Sequence, residues 1–286
     1  MTVFYGPDYV VAGGMDTVAK AGLVADLIAA GRAGQVRLQA PMPVTAEELE
    51  SVHDSAYVAA TLGGKSGGLE VGHWSRPLLD SLLASTGGMR DAVKAALRDG
   101  RSGSLSSGLH HARRRAGFGY CQFNGLALAA VEALRSVRSV GILDLDAHSG
   151  GGTFDILGSD PRVRLADLSL FDFDAWEPCD HERHFHHRAD EAAGYLGHVV
   201  DALDFLEPVD FLIYNAGMDV HAEAGGIPGI DTRVVAERER LVVEWARRRG
   251  IPHVFALAGG YQWGGLELAQ VAELHLETVK AFSRQA

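Results

Sequence analysis

The sequence predicts an α/β protein with one open parallel β-sheet, helices on both faces, and residues 1–286 forming a single domain. Two observations carry that expectation. Apolar runs of strand length alternate with amphipathic helical segments, the pattern of a parallel sheet covered on both sides. Four of those runs, "SVGILDLDAH", "VRLADLSLF", "VDFLIYNAG" and "PHVFALAGG", meet Gly, Asp or His at their carboxyl ends. Ligands of open parallel sheets bind beyond the carboxyl ends of the strands, because the loops there vary while the sheet holds them rigid.

Along the chain, the start "MTVFYGPDYVV" has no basic segment followed by an apolar stretch, so a cytoplasmic location is expected. His53 in "SVHDSAYV" reads as a structural histidine at a helix start. "GLEVGHWSRP" reads as a loop, and Gly100–Gly108 as a flexible Gly/Ser stretch before a histidine pair. The clearest helix runs from Asp231 to Arg249. Asp231 and Thr232 can cap it, Val234, Val235, Leu241, Val242 and Trp245 share one face, and Gly250 follows. Pro252 then opens a strand. The segment Phe171–Glu191, rich in aromatics and histidines, reads as irregular chain near the strand ends.

Composition excludes several classes. With 47% hydrophobic and 22% charged residues and no run of eighteen apolar residues, the chain is a globular protein without a membrane span. A net charge of -11 with no basic block longer than "ARRRA" argues against nucleic acid. Two cysteines, Cys121 and Cys179, are too few for a disulfide framework or a cysteine zinc site, so any metal must sit on His and carboxylate. Cys179 has no context for a thiolate nucleophile.

In "GILDLDAHSGGGT" a buried strand runs into Asp144, Asp146 and His148 at alternating positions. A period of two turns alternate residues to one side. Buried carboxylates are costly without a cation or hydrogen-bond donors, so either a metal or a structural network explains them. Asp219, directly after another apolar strand, supplies a third ligand and tips the balance to metal. One imidazole and two carboxylates suit a catalytic zinc with a position left for water, or another first-row ion such as iron or cobalt. The pair His110 and His111 would be ordinary surface residues elsewhere. Beside a metal site they offer acid and base near neutral pH. Tyr261, after Gly259 and Gly260, can donate its phenol proton to a carbonyl oxygen.

"HH", "DLDAH", "NAGMD" and "AGGY", in this order and at these separations, resemble the zinc-dependent histone deacetylase superfamily, with its arginase/deacetylase fold. The resemblance runs from "FYGPDYV" through "SVHDSAYV" to the last helix, and within the superfamily is nearest to class IV and bacterial deacetylases. It implies zinc on Asp146, His148 and Asp219, a catalytic pair in His110 and His111, and Tyr261 as transition-state donor. Asp144 would orient the first histidine. A structural potassium ion would draw on Asp144, on backbone carbonyls of Asp146 and His148, and on Ser169 and Leu170. Tyr120, with Gly119 beside it, would wall the acyl tunnel. Trp176 is either the opposite wall or a packed loop aromatic.

The chain also departs from the pattern. Many relatives follow the ligand histidine with a second His and then Asp or Asn; here stand Ser149 and Gly151, so the group that orients His111 is expected to be missing. "HAEAGGIPG" replaces the usual turn after Asp219. "GGMDTVAK" replaces a His-Pro and Arg pattern, with Lys20 in the place of the arginine. The cluster "HERHFHH" (His181, His184, His186, His187) suits no zinc pattern and reads as a solvated loop near the tunnel mouth.

These features point to a metal-dependent amidohydrolase that takes an acyl group from acyl-lysine in a peptide or protein, or from a small acylated amine such as a polyamine. Two rivals share parts of it: a two-manganese ureohydrolase, for which further Asp and His ligands are lacking, and a catalytically weak protein that binds an acylated ligand.

Overall fold

The computed structural model describes residues 1–11, 16–65, 70 and 73–284. Gly13–Met15 of the altered amino-terminal motif and most of residues 66–72 lie outside them. Among the described residues eight strands form one sheet: β1 (Thr2–Phe4), β2 (Arg37–Gln39), β3 (Arg101–Ser104), β4 (Val140–Asp144), β5 (Val163–Ser169), β6 (His184–Arg188), β7 (Phe211–Ala216) and β8 (His253–Leu257). Their order is β2-β1-β3-β8-β7-β4-β5-β6, with every pairing parallel.

Alternation along the central strands divides the core in two. Val140 and Ile142 of β4, Phe211 and Ile213 of β7, and Val254 and Ala256 of β8 pack with α4 (Arg76–Asp99), α5 (Gly125–Ala133) and α6 (Gly151–Leu157). Their neighbours Leu143, Leu212, Tyr214, Phe255 and Leu257 pack on the other face, with α1 (Asp16–Ala29), α7 (Tyr195–Phe205), α8 (Thr232–Arg248) and α9 (Leu268–Ser283). Both faces of these strands are apolar, as parallel sheets require. Two short helices, α2 (Ala46–Glu50) and α3 (Ser55–Leu62), complete the set.

The four strands read from the sequence appear as β4, β5, β7 and β8, and the helix at Asp231 appears as α8. Asp231 alone caps it, accepting from the amides of Arg233 and Val234. Two expectations fail. The Gly/Ser stretch after Gly100 is no flexible linker: it holds β3, deep in the sheet. Its serines bond to the neighbouring strand, Ser102 Oγ donating to Thr2 O of β1 at 2.8 Å, and a side chain at Gly103 would strike the Phe255 ring at 2.2 Å. Small residues are there because the space is taken. Likewise Phe171–Glu191, expected as irregular loop, contains edge strand β6.

Among the described residues, no helix is long and apolar enough to cross a membrane. Under the carboxyl ends of β4 and β7 lies a buried cation. Arg238 of α8 donates to Gly217 O at 2.7 Å and pairs with Glu239 at 2.6 Å, while Tyr214 OH donates to Glu239 at 2.8 Å. This network holds the backbone from which Asp219 projects.

Candidate active site

β4 ends at Asp144, so Asp146 and His148 project from the chain that follows, and Asp219 comes from the chain after β7. Ligand atoms of Asp146, His148 and Asp219 lie within 4.8 Å of one another. His148 Nδ1 is 3.1 Å from Asp146 Oδ1 and 3.0 Å from Asp219 Oδ2. The remaining carboxylate oxygens are held by backbone amides: Gly259 N donates to Asp146 Oδ2 at 2.7 Å and Ala147 N to Asp219 Oδ1 at 3.0 Å. Burial and the neighbouring Asp146 push the Asp219 carboxyl up to about 6. Two buried carboxylates facing one imidazole make a donor set that fits a divalent ion, whose bonds of about 2.0–2.2 Å would draw the three atoms together.

Gly259 is glycine by necessity, since a Cβ there would stand 2.1 Å from Asp219 Oδ2 and 2.7 Å from Asp146 Oδ2. Lys20 lies behind this set, fully buried, with Nζ donating to Ala258 O. Burial lowers its ammonium to about 7, although Asp219 and Asp146 oppose that shift.

His110 and His111 lie side by side, ring centroids 3.9 Å apart, both buried. His110 Nδ1 is 2.8 Å from Asp144 Oδ2, and Asn215 Nδ2 donates to the other oxygen of Asp144 at 2.8 Å. Burial disfavours the charged ring of His110, but Asp144 and Asp146 outweigh it and raise the imidazole to about 10. For His111, burial and the neighbouring His110 win and lower it to about 4.

The expectation that His111 lacks an orienting group is wrong. Asp174, from the loop after β5, places Oδ2 2.9 Å from His111 Nδ1. The turn after His148 offers no carboxylate, and the tertiary fold supplies one from another loop.

A cavity of about 160 Å³, lined by His111, Gly119, Tyr120, His148, Phe173, Tyr261 and Trp263, opens above the site. Its volume is well below the roughly 300 Å³ at which whole-ligand pockets begin, so it suits the tip of a chain. Tyr120 lines it as expected, and Gly119 leaves room for the His111 ring, which a Cβ there would meet at 2.7 Å. Trp176 does not line it. Its ring is buried between Phe154 at 4.3 Å and His186 at 4.9 Å, and its indole N–H donates to Asp167 at 2.8 Å. The facing wall is instead Phe173, stacked on Phe118 at 5.3 Å and 10° between planes. The "FDFD" alternation beginning at Phe171 was the available signal for both Phe173 and Asp174.

Tyr261 contacts His148 edge to face, with centroids 6.4 Å apart, and Trp263 stacks flat on its other side at 4.1 Å. Burial, then Asp219 and Asp146, push its phenol well above the usual range, so it stays a proton donor. The altered loop after Asp219 has a use: Ala224 O accepts from Tyr261 N at 2.9 Å.

Of the residues the resemblance placed around potassium, Ser169 ends β5 and Leu170 follows it, both beside the turn after β4. Ser149 Oγ donates to Ser169 Oγ at 3.0 Å, and Leu170 N to Ala147 O at 2.8 Å. The histidine cluster is partly built in: His184 is buried, with Nδ1 3.6 Å from Cys179 Sγ, and His186 Nδ1 donates to Trp176 O at 2.8 Å. It forms no three-donor metal group among the described residues.

Comparison with known proteins decides the family. A model of the histone deacetylase domain matches residues 16–279. The chain belongs to the histone deacetylase domain family. As a member it is a hydrolase of the deacetylase type. It is 30% identical over 236 residues to an uncharacterized protein of Picosynechococcus sp., covering 74% of this chain and 75% of that one. It is 29% identical over 214 residues to histone deacetylase 2 of Arabidopsis thaliana, covering 70% of this chain but 52% of that longer protein. Its fold superposes on acetylpolyamine aminohydrolase from Burkholderia pseudomallei with a TM-score of 0.79 at 20% identity, covering 99% of this chain and 98% of the other. That likeness establishes the arginase/deacetylase architecture.

Proposed function

We propose that this deacetylase-family domain is a metal-dependent amidohydrolase that removes an acyl group from the side-chain amine of lysine in a peptide or protein. The observation that carries the reading is the convergence, at the base of one narrow aromatic pocket, of a buried two-carboxylate, one-imidazole donor set, a histidine pair and a phenol. Asp146, His148 and Asp219 would hold the ion, with zinc as the expected metal and iron or cobalt acceptable to the same donors. When bound, that ion supplies Lewis acidity to the amide carbonyl and to the attacking water.

The protein's own groups do the rest. Tyr261, protonated at neutral pH, donates to the carbonyl oxygen as negative charge develops there. His111, neutral in its buried setting, accepts the proton of the attacking water. His110, held charged by Asp144, stabilises that charge, and a protonated histidine releases the amine. Phe173, which is stacked on Phe118, and Tyr120 enclose the alkyl stem and exclude bulk water. A potassium ion among Asp144, Asp146, His148, Ser169 and Leu170 would stiffen the turn that carries the ligands.

The rim favours a peptide or protein over an enclosed small amine: Tyr120 is 49% exposed and Trp263 67%, so the mouth is open. No nucleic-acid or membrane partner is proposed, and a cytoplasmic location goes with these substrates. The test is hydrolysis of fluorogenic acyl-lysine peptides, acetyl through myristoyl, alongside N-acetylated polyamines, using zinc-reconstituted protein. Turnover abolished in Asp146→Ala and reduced about 10²–10³-fold in Tyr261→Phe supports the mechanism. Preference for the polyamine would reassign the substrate. One tightly held metal per chain with no turnover would leave an acyl-ligand-binding protein.

A further inference from the structure

We propose that Asp174 is the positioning residue for His111, supplied across space from the loop after β5, and that Gly151 is glycine because this loop occupies its side-chain space. The inference rests on the reading of His111 as the general base.

Four observations converge. Asp174 Oδ2 lies 2.9 Å from His111 Nδ1, and its side chain is 0% exposed. Its other oxygen accepts from Arg113, which neutralises the buried charge without touching the histidine bond. A Cβ at Gly151 would meet Asp174 O and Oδ1, each at 2.5 Å. The loop is also tied to the turn bearing His148, since Ser149 N donates to Phe173 O at 3.1 Å.

The chemistry follows from imidazole's two nitrogens. An acceptor at Nδ1 keeps the proton on that nitrogen, so Nε2 carries the lone pair that a base needs. The ring lines the substrate cavity, and Phe173, one residue before Asp174, lines it too. Wall and positioning carboxylate therefore sit on one short segment, and any side chain at position 151 would displace both.

The test combines kinetics with a readout independent of turnover. In zinc-loaded wild type, ¹⁵N NMR of the His111 ring should show a single tautomer with the proton on Nδ1. Asp174→Ala should mix the tautomers and lower kcat roughly 10–100-fold, the range for losing a partner that orients a metal-site group. KM should stay within about threefold. Asp174→Asn keeps the volume but has one acceptor oxygen for two donors, His111 Nδ1 and Arg113, so it should recover only part of kcat. Gly151→Ala should reproduce the Asp174→Ala loss, and the double variant should be little worse than either, because both changes break one contact. An unchanged tautomer and wild-type kcat in Asp174→Ala would overturn the proposal, as would additive losses in the pair. If wild type turns over no acylated amine, the hydrolase reading fails on its own account, and the NMR arm still decides what holds His111.

Discussion

Gly259→Ala puts the candidate metal site to its sharpest test. The new Cβ would stand 2.1 Å from Asp219 Oδ2, 2.4 Å from its Cγ and 2.7 Å from Asp146 Oδ2, whereas ordinary contact begins at 3.4 Å. The difference between 3.4 and 2.1 Å requires Asp219 to retreat by about 1.3 Å. Metal–ligand distances tolerate about 0.2 Å, so that retreat removes a ligand. Changing a group that merely supports a ligand costs about 10–100-fold in affinity, so losing the ligand itself should weaken zinc binding by about 100-fold or more, or about 2.7 kcal/mol. Overpacking should also cost about 1–3 kcal/mol of stability. The assay is competitive titration of apo protein with zinc against a chromophoric chelator, with thermal unfolding measured in parallel. Gly197→Ala is the control, because its Cβ in α7 would meet nothing within 4 Å; it should gain about 0.5–1 kcal/mol and bind zinc normally. A folded Gly259→Ala protein with wild-type zinc affinity would refute the assignment of Asp219 as a ligand.

Trp263→Ala removes the ring stacked on Tyr261, a contact worth about 1 kcal/mol, and should lower kcat roughly fivefold with the fold intact; steady-state kinetics that leave kcat untouched would count against a role for the stack. Arg238→Met leaves Glu239 buried without its cation and should cost about 3–5 kcal/mol in urea unfolding, with Arg238→Met/Glu239→Leu recovering part of it; a loss below about 1 kcal/mol would mean the network is dispensable. His53 is neutral and buried, donating from Nδ1 to Arg113 O at 2.9 Å and accepting at Nε2 from Asn124 N at 3.0 Å, and burial lowers it to about 4. Its folded value is depressed below the ordinary 6.5, so the unfolded chain binds more protons between those limits. The stability it contributes is complete above pH 6.5 and is lost as pH falls to 4, about 3 kcal/mol in all. Unfolding free energies of wild type and His53→Gln should converge over that window, and a gap that stays constant with pH would exclude this linkage.

Much of the molecule was legible because it obeys local rules. The continuous apolar runs of β4, β5, β7 and β8 announce strands buried on both faces, and their polar ends mark where loops leave the sheet. The candidate ligands Asp146, His148 and Asp219, and the groups His110, His111 and Tyr261, sit within short motifs that the fold brings together. β3 escaped because its glycine and serines carry no apolar signal; they are small to admit Phe255 and the neighbouring backbone.

By itself, then, the sequence determined the fold class and named the candidate donor set and phenol, since each is written in short motifs at the ends of β4, β7 and β8. The tertiary structure alone decided what stands beside them. Asp174 lies sixty-three positions from His111 and reaches it because the loops after β3, β4 and β5 pack together, with Ser149 N donating to Phe173 O and Thr153 N to His110 O. Trp176, on the same loop, turns inward to Asp167 and yields the cavity wall to Phe173. Spacing in the chain specifies which side chains leave one strand together; it carries no information on which loop of a neighbouring strand folds back over them, because that is settled by packing between distant segments.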